Sequence, residues 1–407
     1  MSNIKIDEAR LWDSLMTHAK IGGTPDGGIC RQALTDEDRA GRDLFCQWCR
    51  DAGLEISIDK VGNIFAIRPG LDNTLDPVAF GSHLDTQPTG GKFDGILGVL
   101  GGLEVMRALN DANYQTRRPL LVASWTNEEG GRFPPAMLAS GVYSGKFSLD
   151  YANDLTDSEG VRFGDALKDI GYVGEETVGE RTFHSYLELH VEQGPVLEDE
   201  STEIGVVNGV QGMSWHKLTV KGRESHAGTT PMPSRLDAMA AANRIISVCY
   251  EQANAIVDAK ATIGIIEAQP ASPNVIPHTV NFTVDLRHPQ DTVQQGLVRK
   301  MLDATAIESE IGFTISHEEV FRSPALHFDQ GCIDIVRKVA TDLGYSHRDI
   351  VSGAGHDAVY VSDVCPTGMI FVPCEDGISH NSIESITPAQ ARAGVEILLG
   401  AAIRLAE

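Results

Sequence analysis

The chain has 407 residues, is 42% hydrophobic and carries a formal net charge of −24. That length suits two domains or one large one, and that charge repels a phosphate backbone, which excludes nucleic acid as a natural partner. The start, Met1 to Arg10, has no apolar signal core, and no apolar run reaches the roughly 18 residues of a membrane span, so the cytoplasm is the expected compartment. Seven scattered cysteines argue against a disulfide framework.

In chain order, residues 5–20 have the periodicity of an amphipathic helix, and residues 22–28 form a glycine-rich loop. Thr35-Asp-Glu-Asp38 resembles a capping box and opens a helix from Asp36 to Ala52, closed by Gly53. Cys46 and Cys49 have redox spacing, but no strand precedes them, and they are expected to be ordinary half-buried helix residues. Leu54–Asp59 and Asn63–Arg68 alternate in polarity around Gly62, which predicts paired strands. Pro77–Phe80 is a short apolar run that predicts a buried strand. His83 stands where that strand runs out, and Asp85 follows two residues on, facing the same way. A turn at Pro88, Gly90 and Gly91 then delivers Asp94 in front of a helix, Ile96–Leu109. Taken alone, this stretch is equally readable as an aspartate helix cap and an incidental histidine. Gly95, Gly98, Gly101 and Gly102 have the wrong spacing for a dinucleotide site and are read as close-packing positions.

Pro119–Trp125 is a continuous apolar run, the signature of a central parallel strand, and it ends in Asn127-Glu-Glu-Gly130. Strand, helix and strand make a βαβ unit, and ligands of such sheets bind beyond the carboxyl ends of the strands. Polar helices and loops follow to about residue 182. Tyr186–Glu192 predicts another buried strand, with His190 near its end, and Ile204–Val207 follows. The texture then changes. Trp215–Lys221, Ala261–Glu267, Val280–Arg287 and Phe313–Val320 predict strands, while Ser234–Ala255 and Asp291–Glu308 predict helices. The expected fold is therefore α/β, a doubly wound mixed sheet, with a smaller α+β domain inserted. That insert, an antiparallel sheet with two helices, is placed at 211–323, leaving 1–210 and 324–407 as the metal-binding domain. The last block has a helix at Cys332–Leu343, Ser352-Gly-Ala-Gly-His-Asp357 before another helix, a strand at Gly368–Pro373, a loop with His380, and a terminal helix, Pro388–Leu405.

The polar residues that end buried strands or open the following loops are His83, Asp94, Glu128, Glu129, His190 and His380. A single histidine is more often structural than a ligand; three at strand exits are what singles these out. Three imidazoles and several carboxylates suit zinc, manganese, cobalt or nickel better than calcium or magnesium. Five ligands exceed what one tetrahedral ion with an open position needs, and they suffice for two ions bridged by a carboxylate. Two ions about 3.5 Å apart polarise a carbonyl oxygen, and a spare glutamate, Glu128, could pass a proton to a leaving nitrogen. A carboxylate behind an imidazole would fix its tautomer. Spacing alone leaves open which ligand bridges. The insert adds His226, Asn274 and Arg287: an arginine can grip a carboxylate, and a histidine and an asparagine can stabilise an oxyanion.

The motifs Gly81-Ser-His-Leu-Asp-Thr-Gln-Pro, Phe93-Asp-Gly, Asn127-Glu-Glu-Gly, Glu188-Leu-His-Val-Glu-Gln-Gly-Pro, His226-Ala-Gly-Thr-Thr-Pro-Met, Ser352-Gly-Ala-Gly-His-Asp and Gly377-Ile-Ser-His-Asn resemble the M20 metallopeptidase clan. Within it they look like the amidohydrolase branch of N-carbamoyl-L-amino acid hydrolases, β-ureidopropionases and allantoate amidohydrolases. The resemblance runs from about residue 10 to the end in matching order. It implies two divalent ions per subunit, zinc first, with manganese, cobalt or nickel as alternatives. It implies that His83 and His190 bind opposite ions, that Asp94 bridges them, and that Glu129 and His380 complete the ligands. Glu128 would be the acid/base, with Asp85 supporting His83. His226, Asn274 and Arg287 match substrate-binding residues of a lid domain that carries a homodimer interface, with His226 reaching into the partner's site. Gln193 and His356 match further contacts. His190 stands where aminoacylase- and carboxypeptidase-like members place a carboxylate, which favours the amidohydrolase branch, and the wording around Gln87 and Gly102 is nearest the β-ureidopropionases. The implied reaction is hydrolysis of N-carbamoyl-β-alanine or N-carbamoyl-L-amino acids to amino acid, ammonia and carbon dioxide. Allantoate hydrolysis is the next reading and dipeptide hydrolysis the one after.

Overall fold

The computed structural model describes residues 4–407. The chain first runs through α1 (Glu8–His18), α2 (Asp36–Asp51), β1 (Glu55–Ile58), β2 (Ile64–Arg68), β3 (Val78–His83), α3 (Ile96–Asp111) and β4 (Leu120–Trp125). It continues with α4 (Leu138–Tyr143), α5 (Leu149–Asp154), α6 (Phe163–Asp169), β5 (Ser185–Val191), α7 (Val196–Asp199) and β6 (Ile204–Val210). A middle section carries β7 (Gly212–Lys221), β8 (Ser225–His226), α8 (Ala238–Ala255), β9 (Lys260–Thr262), β10 (Ile266–Gln269), β11 (Val275–Ile276), β12 (Thr279–His288), α9 (Asp291–Ile311), β13 (Thr314–Ser323) and β14 (Leu326–His327). The last section holds α10 (Gln330–Leu343), β15 (His347–Ser352), α11 (Asp357–Val361), β16 (Thr367–Val372) and α12 (Pro388–Ala406). Helix starts follow capping chemistry: Asp7 accepts from the amide of Arg10 and Thr35 from that of Asp38, and Thr387 forms a full capping box with Gln390.

Contacts divide the chain into one unit of residues up to Asn208 with Phe328–Glu407, and a second of Gly209–His327. In the first, the sheet order is β1-β2-β4-β3-β5-β16-β6-β14, with β15 on β6. The central strands β4, β3, β5 and β16 are mutually parallel, and β2 and β6 flank them antiparallel. All four central strands are buried at every residue, which is why they read as unbroken apolar runs. Their carboxyl ends lie side by side. An added Cβ on Gly98 of α3 would meet the Leu189 carbonyl at 2.5 Å, and one on Gly394 of α12 would meet the Leu189 side chain at 2.7 Å. Glycine thus lets two helices settle on β5. The neighbouring Glu188 side chain instead accepts the Ala358 amide of α11 at 2.8 Å. Successive strand residues face opposite ways, so helices cover both sides of the mixed sheet.

The second unit has a sheet of order β10-β12-β7-β13, all antiparallel, with β9 on β12. Helices α8 and α9 cover one face, around Leu218, Ile245, Phe282, Leu286 and Met301. The small β8–β11 pair stands apart from that sheet. The strand expected at 261–267 is two strands, β9 and β10, and β15 was not expected because its half-exposed residues form no apolar run. The contact division at 209–327 is slightly wider than the insert read from sequence. Cys46 and Cys49 are both buried in α2, and burial pushes both thiols up, which makes them poor nucleophiles. No helix of the described residues is long and apolar enough to cross a membrane.

Candidate metal centre

Strands β3 and β5 pair in parallel with Gly81 opposite Glu188. Two residues further along each strand stand His83 and His190, on matching faces, with ring centroids 5.9 Å apart. His83 Nδ1 lies 2.9 Å from the Asp85 carbonyl, and His190 Nδ1 lies 2.9 Å from the Val191 carbonyl. A carbonyl only accepts, so each Nδ1 carries a hydrogen and each Nε2 faces the other way, toward the carboxylates. There stands Asp94: its Oδ1 is 3.0 Å from His190 Nε2 and 3.6 Å from His83 Nε2. Asp94 does not cap α3. Gly95 occupies the cap position with φ +71°, and its N–H donates to His190 Nε2 at 3.1 Å.

The other oxygen of Asp94 looks toward a second group. His380 Nε2 is 3.4 Å from Asp94 Oδ2 and 3.3 Å from Glu129 Oε2. Two triads of potential ligand atoms result, His83–Asp94–His190 and Asp94–Glu129–His380, each with its atoms within 4.8 Å of one another. Asp94 is common to both. The division implied by the resemblance, with His83 and His190 on opposite ions, differs from this grouping by proximity. Both histidines fall in one triad, because β3 and β5 are adjacent and end together.

Asp85 also departs from expectation. It meets the His83 ring through its main-chain carbonyl, the nearest acceptor once the chain leaves β3, while its carboxylate accepts the amides of Glu128 at 3.3 Å and Glu129 at 3.2 Å. It thereby holds the turn that presents the two glutamates. Glu128 Oε2 lies 3.4 Å from His83 Nε2. Burial holds the Glu128 carboxyl well above the ordinary range; the pull of His83 opposes this, and the charges of Asp357, Glu129 and Asp85 add to it. Glu129 is pushed up to about 8 by burial and Asp94. Burial disfavours a charged His83 ring, but Glu128 and Asp94 overcome it and raise the ring well above its usual range. These buried carboxylates face imidazoles rather than lysine or arginine. Converging imidazole Nε2 atoms and shared carboxylates fit divalent cations of borderline softness. Three protein donors per triad also leave coordination positions open, as catalytic sites require.

Around this core, Gln193 Nε2 donates to Asp94 Oδ2 at 2.8 Å. Asn127, Gln193 and His380 all have φ between +52° and +57°, so part of the chain's non-glycine backbone strain lies at the site. His356 is buried, its ring centroid 4.5 Å from that of His190 and its Nε2 3.0 Å from Ser352 Oγ. Sequence reasoning missed three supports. Gln87 donates main-chain and side-chain N–H groups to the Glu129 carboxylate at 3.1 and 2.9 Å. Ser379 donates to Asp94, and Glu384 receives the amides of Phe93 and Asp94. Gln87 and Ser379 stood inside quoted motifs, but nothing in their spacing separates support from scaffold.

In the second unit, His226 of β8 pairs with Val275 of β11, and the Ala227 amide donates to the Asn274 carbonyl at 3.0 Å. His226 Nδ1 accepts from the amides of Gly228 and Thr229 at 3.0 and 3.2 Å, so Nε2 bears the hydrogen and the ring presents a donor. Arg287 lies elsewhere, with its guanidinium on Asp285 at 2.7 Å. Along β12, Thr279 and Arg287 are about 26 Å apart at roughly 3.3 Å per residue, and β11 precedes Thr279.

A family model described as peptidase family M20/M25/M40 matches residues 79–404. The chain is 48% identical to an N-carbamoyl-L-amino-acid amidohydrolase of Rhizobium meliloti, over 100% of this chain and 98% of that protein. It is 32% identical to a ureidoglycolate hydrolase of Arabidopsis thaliana, over 98% of this chain and 86% of that one. Among solved structures, an amidase of the hydantoinase/carbamoylase family from Burkholderia multivorans superposes with a TM-score of 0.96 at 49% identity, covering 99% of this chain and 98% of that one.

The packing of Gly95 supplies a test. A Cβ there would lie 2.3 to 2.5 Å from three atoms of the His83 ring, and the left-handed backbone adds roughly 1–2 kcal/mol for a non-glycine residue. Gly95→Ala is expected to bind divalent metal at least tenfold more weakly than wild type, read by metal analysis after dialysis against limiting Zn²⁺. Unchanged metal content would remove His83 from the centre.

Proposed function

The chain belongs to peptidase family M20/M25/M40 and is a hydrolase of C–N bonds, and on that premise we propose that it cleaves N-carbamoyl-L-amino acids to the free amino acid, ammonia and carbon dioxide. The observation that carries the reading is the pair of ligand triads sharing Asp94, supported by full-length likeness to a relative named for that activity. His83, Asp94 and His190 would hold one divalent ion and Asp94, Glu129 and His380 another. When bound, two such ions, zinc first and manganese, cobalt or nickel as alternatives, supply Lewis acidity toward a carbonyl oxygen and lower the pKa of water.

The chain's own residues do the rest. Glu128 sits in the same buried pocket of charge, with Oε2 close to His83, and takes the proton of the attacking water before giving it to the leaving nitrogen. Asp85 keeps Glu128 and Glu129 in position through their amides. Gln193 and His356 line the same end of the sheet, beside Asp94 and His190, and contact the substrate there. Arg287 already holds one carboxylate in the folded chain, the geometry an amino-acid carboxylate needs. His226 and Asn274 stabilise developing charge on the carbonyl oxygen.

The length of β12 between the β8–β11 pair and Arg287 supports a reading in which His226 and Asn274 serve the site of a second copy. The second unit accordingly acts as lid and dimerisation domain, and it exposes Val257, Ile265, Ile266, Ile307 and Ile311, apolar area suited to a homodimer interface. A ureide such as allantoate or ureidoglycolate is the second reading, favoured by the relative named ureidoglycolate hydrolase.

Purified protein loaded with Zn²⁺, Mn²⁺, Co²⁺ or Ni²⁺ should release ammonia from N-carbamoyl-L-amino acids faster than from N-carbamoyl-β-alanine, allantoate or dipeptides. Glu128→Gln should lower kcat by at least 10²-fold and keep its metal; full activity in that variant would refute the role of Glu128. Separately, Glu128→Gln and His226→Ala, each inactive alone, should restore about a quarter of wild-type activity once their subunits exchange in equal mixture. No recovery after proven exchange would return His226 to its own chain's site.

A further inference from the structure

We propose that Glu384 is a positioning residue for the metal centre, a brace that fixes the loop carrying Asp94 against the loop carrying His380; this rests on the metal reading above. Glu384 lies four residues after His380 and outside every motif that the sequence singled out. Its side chain is buried, at 2% exposure. Oε1 accepts the amides of Phe93 at 3.0 Å and Asp94 at 3.1 Å. Oε2 lies 2.7 Å from Ser379 Oγ, and that hydroxyl lies 2.9 Å from Asp94 Oδ2. One side chain therefore reaches Asp94 twice, once at its main chain and once, through Ser379, at the carboxylate common to both triads.

Local packing is cut to fit this brace. A Cβ on Gly91 would fall 2.2 Å from the Glu384 carboxyl carbon, so glycine in the turn before Asp94 leaves the room that the Glu384 side chain fills. Ser379 precedes His380, whose φ is +52°, so the hydroxyl that ties Asp94 also anchors a strained ligand. Ligand sets work only when held within about 0.5 Å of the required geometry, and loss of an outer partner typically weakens metal affinity 10- to 100-fold.

These contacts require hydrogen bonding, not charge. A glutamine at 384 can accept the two amides through its Oε1 and donate through Nε2 to Ser379 Oγ, which leaves the single hydroxyl hydrogen for Asp94. An alanine keeps none of the three contacts. The experiment is a Co²⁺ titration of metal-free wild type, Glu384→Gln and Glu384→Ala, followed by the visible absorption of the bound ion, with thermal unfolding of each metal-free protein alongside. Glu384→Gln is expected to match wild type within about threefold, and Glu384→Ala to bind tenfold or more weakly with an altered spectrum. Wild-type affinity and spectrum in Glu384→Ala would overturn the brace, as would equal weakening in Glu384→Gln. If Glu384→Ala does not fold, Ser379→Ala decides: a weakened isotherm is expected, and an unchanged one overturns the proposal. A wild-type protein that takes up no Co²⁺ would instead overturn the metal reading, and the brace with it.

Discussion

Asp94 is a buried carboxylate whose two oxygens face different sets of ligand atoms, and the end of the sheet is arranged around that division. Asp85, Glu128 and Glu129 are buried beside it. Like charges packed together and removed from water are strongly disfavoured unless cations offset them. Imidazoles supply only part of that offset, since His83 and His190 spend their Nδ1 hydrogens on main-chain carbonyls. The proposed pair of divalent ions would answer both needs at once, by neutralising the carboxylates and binding the outward Nε2 atoms.

The sheet makes this convergence possible. Four parallel strands, buried on both faces, end side by side, so a short loop from any of them reaches its neighbour's terminus. His83 and Glu128 lie at or just past the ends of adjacent strands, and His190 lies on the other side of His83. Asp94 and His380 arrive on loops from beyond. The same architecture explains where strain sits. Loops that must turn back over strand ends adopt left-handed backbone at Asn127, Gln193 and His380, and an extensive hydrogen-bond network, from Asp85 to Ser379 and Glu384, keeps them there.

Much of this was legible in the sequence because a doubly buried strand cannot hide its apolar run, and a polar residue ending such a run is conspicuous. His83 and His190 were singled out in that way, and Asp94, Glu129 and His380 as polar residues of the loops that follow such runs. What was not legible depended on neighbours in space. The grouping of His83 with His190 follows from strand order, which no single strand encodes. Asp85 was read through the usual carboxylate–histidine pairing, but the chain turns its carbonyl, not its carboxylate, toward the ring. Glu384 had no signal at all: a lone acid in a polar loop looks solvated until its amide partners are seen.

The most direct measurement is anomalous diffraction at the zinc edge from crystals grown with Zn²⁺. Two peaks per chain are predicted, one among His83, Asp94 and His190 and one among Asp94, Glu129 and His380. A single peak, or zinc bound away from Asp94, would contradict the shared-carboxylate centre on which the whole account stands.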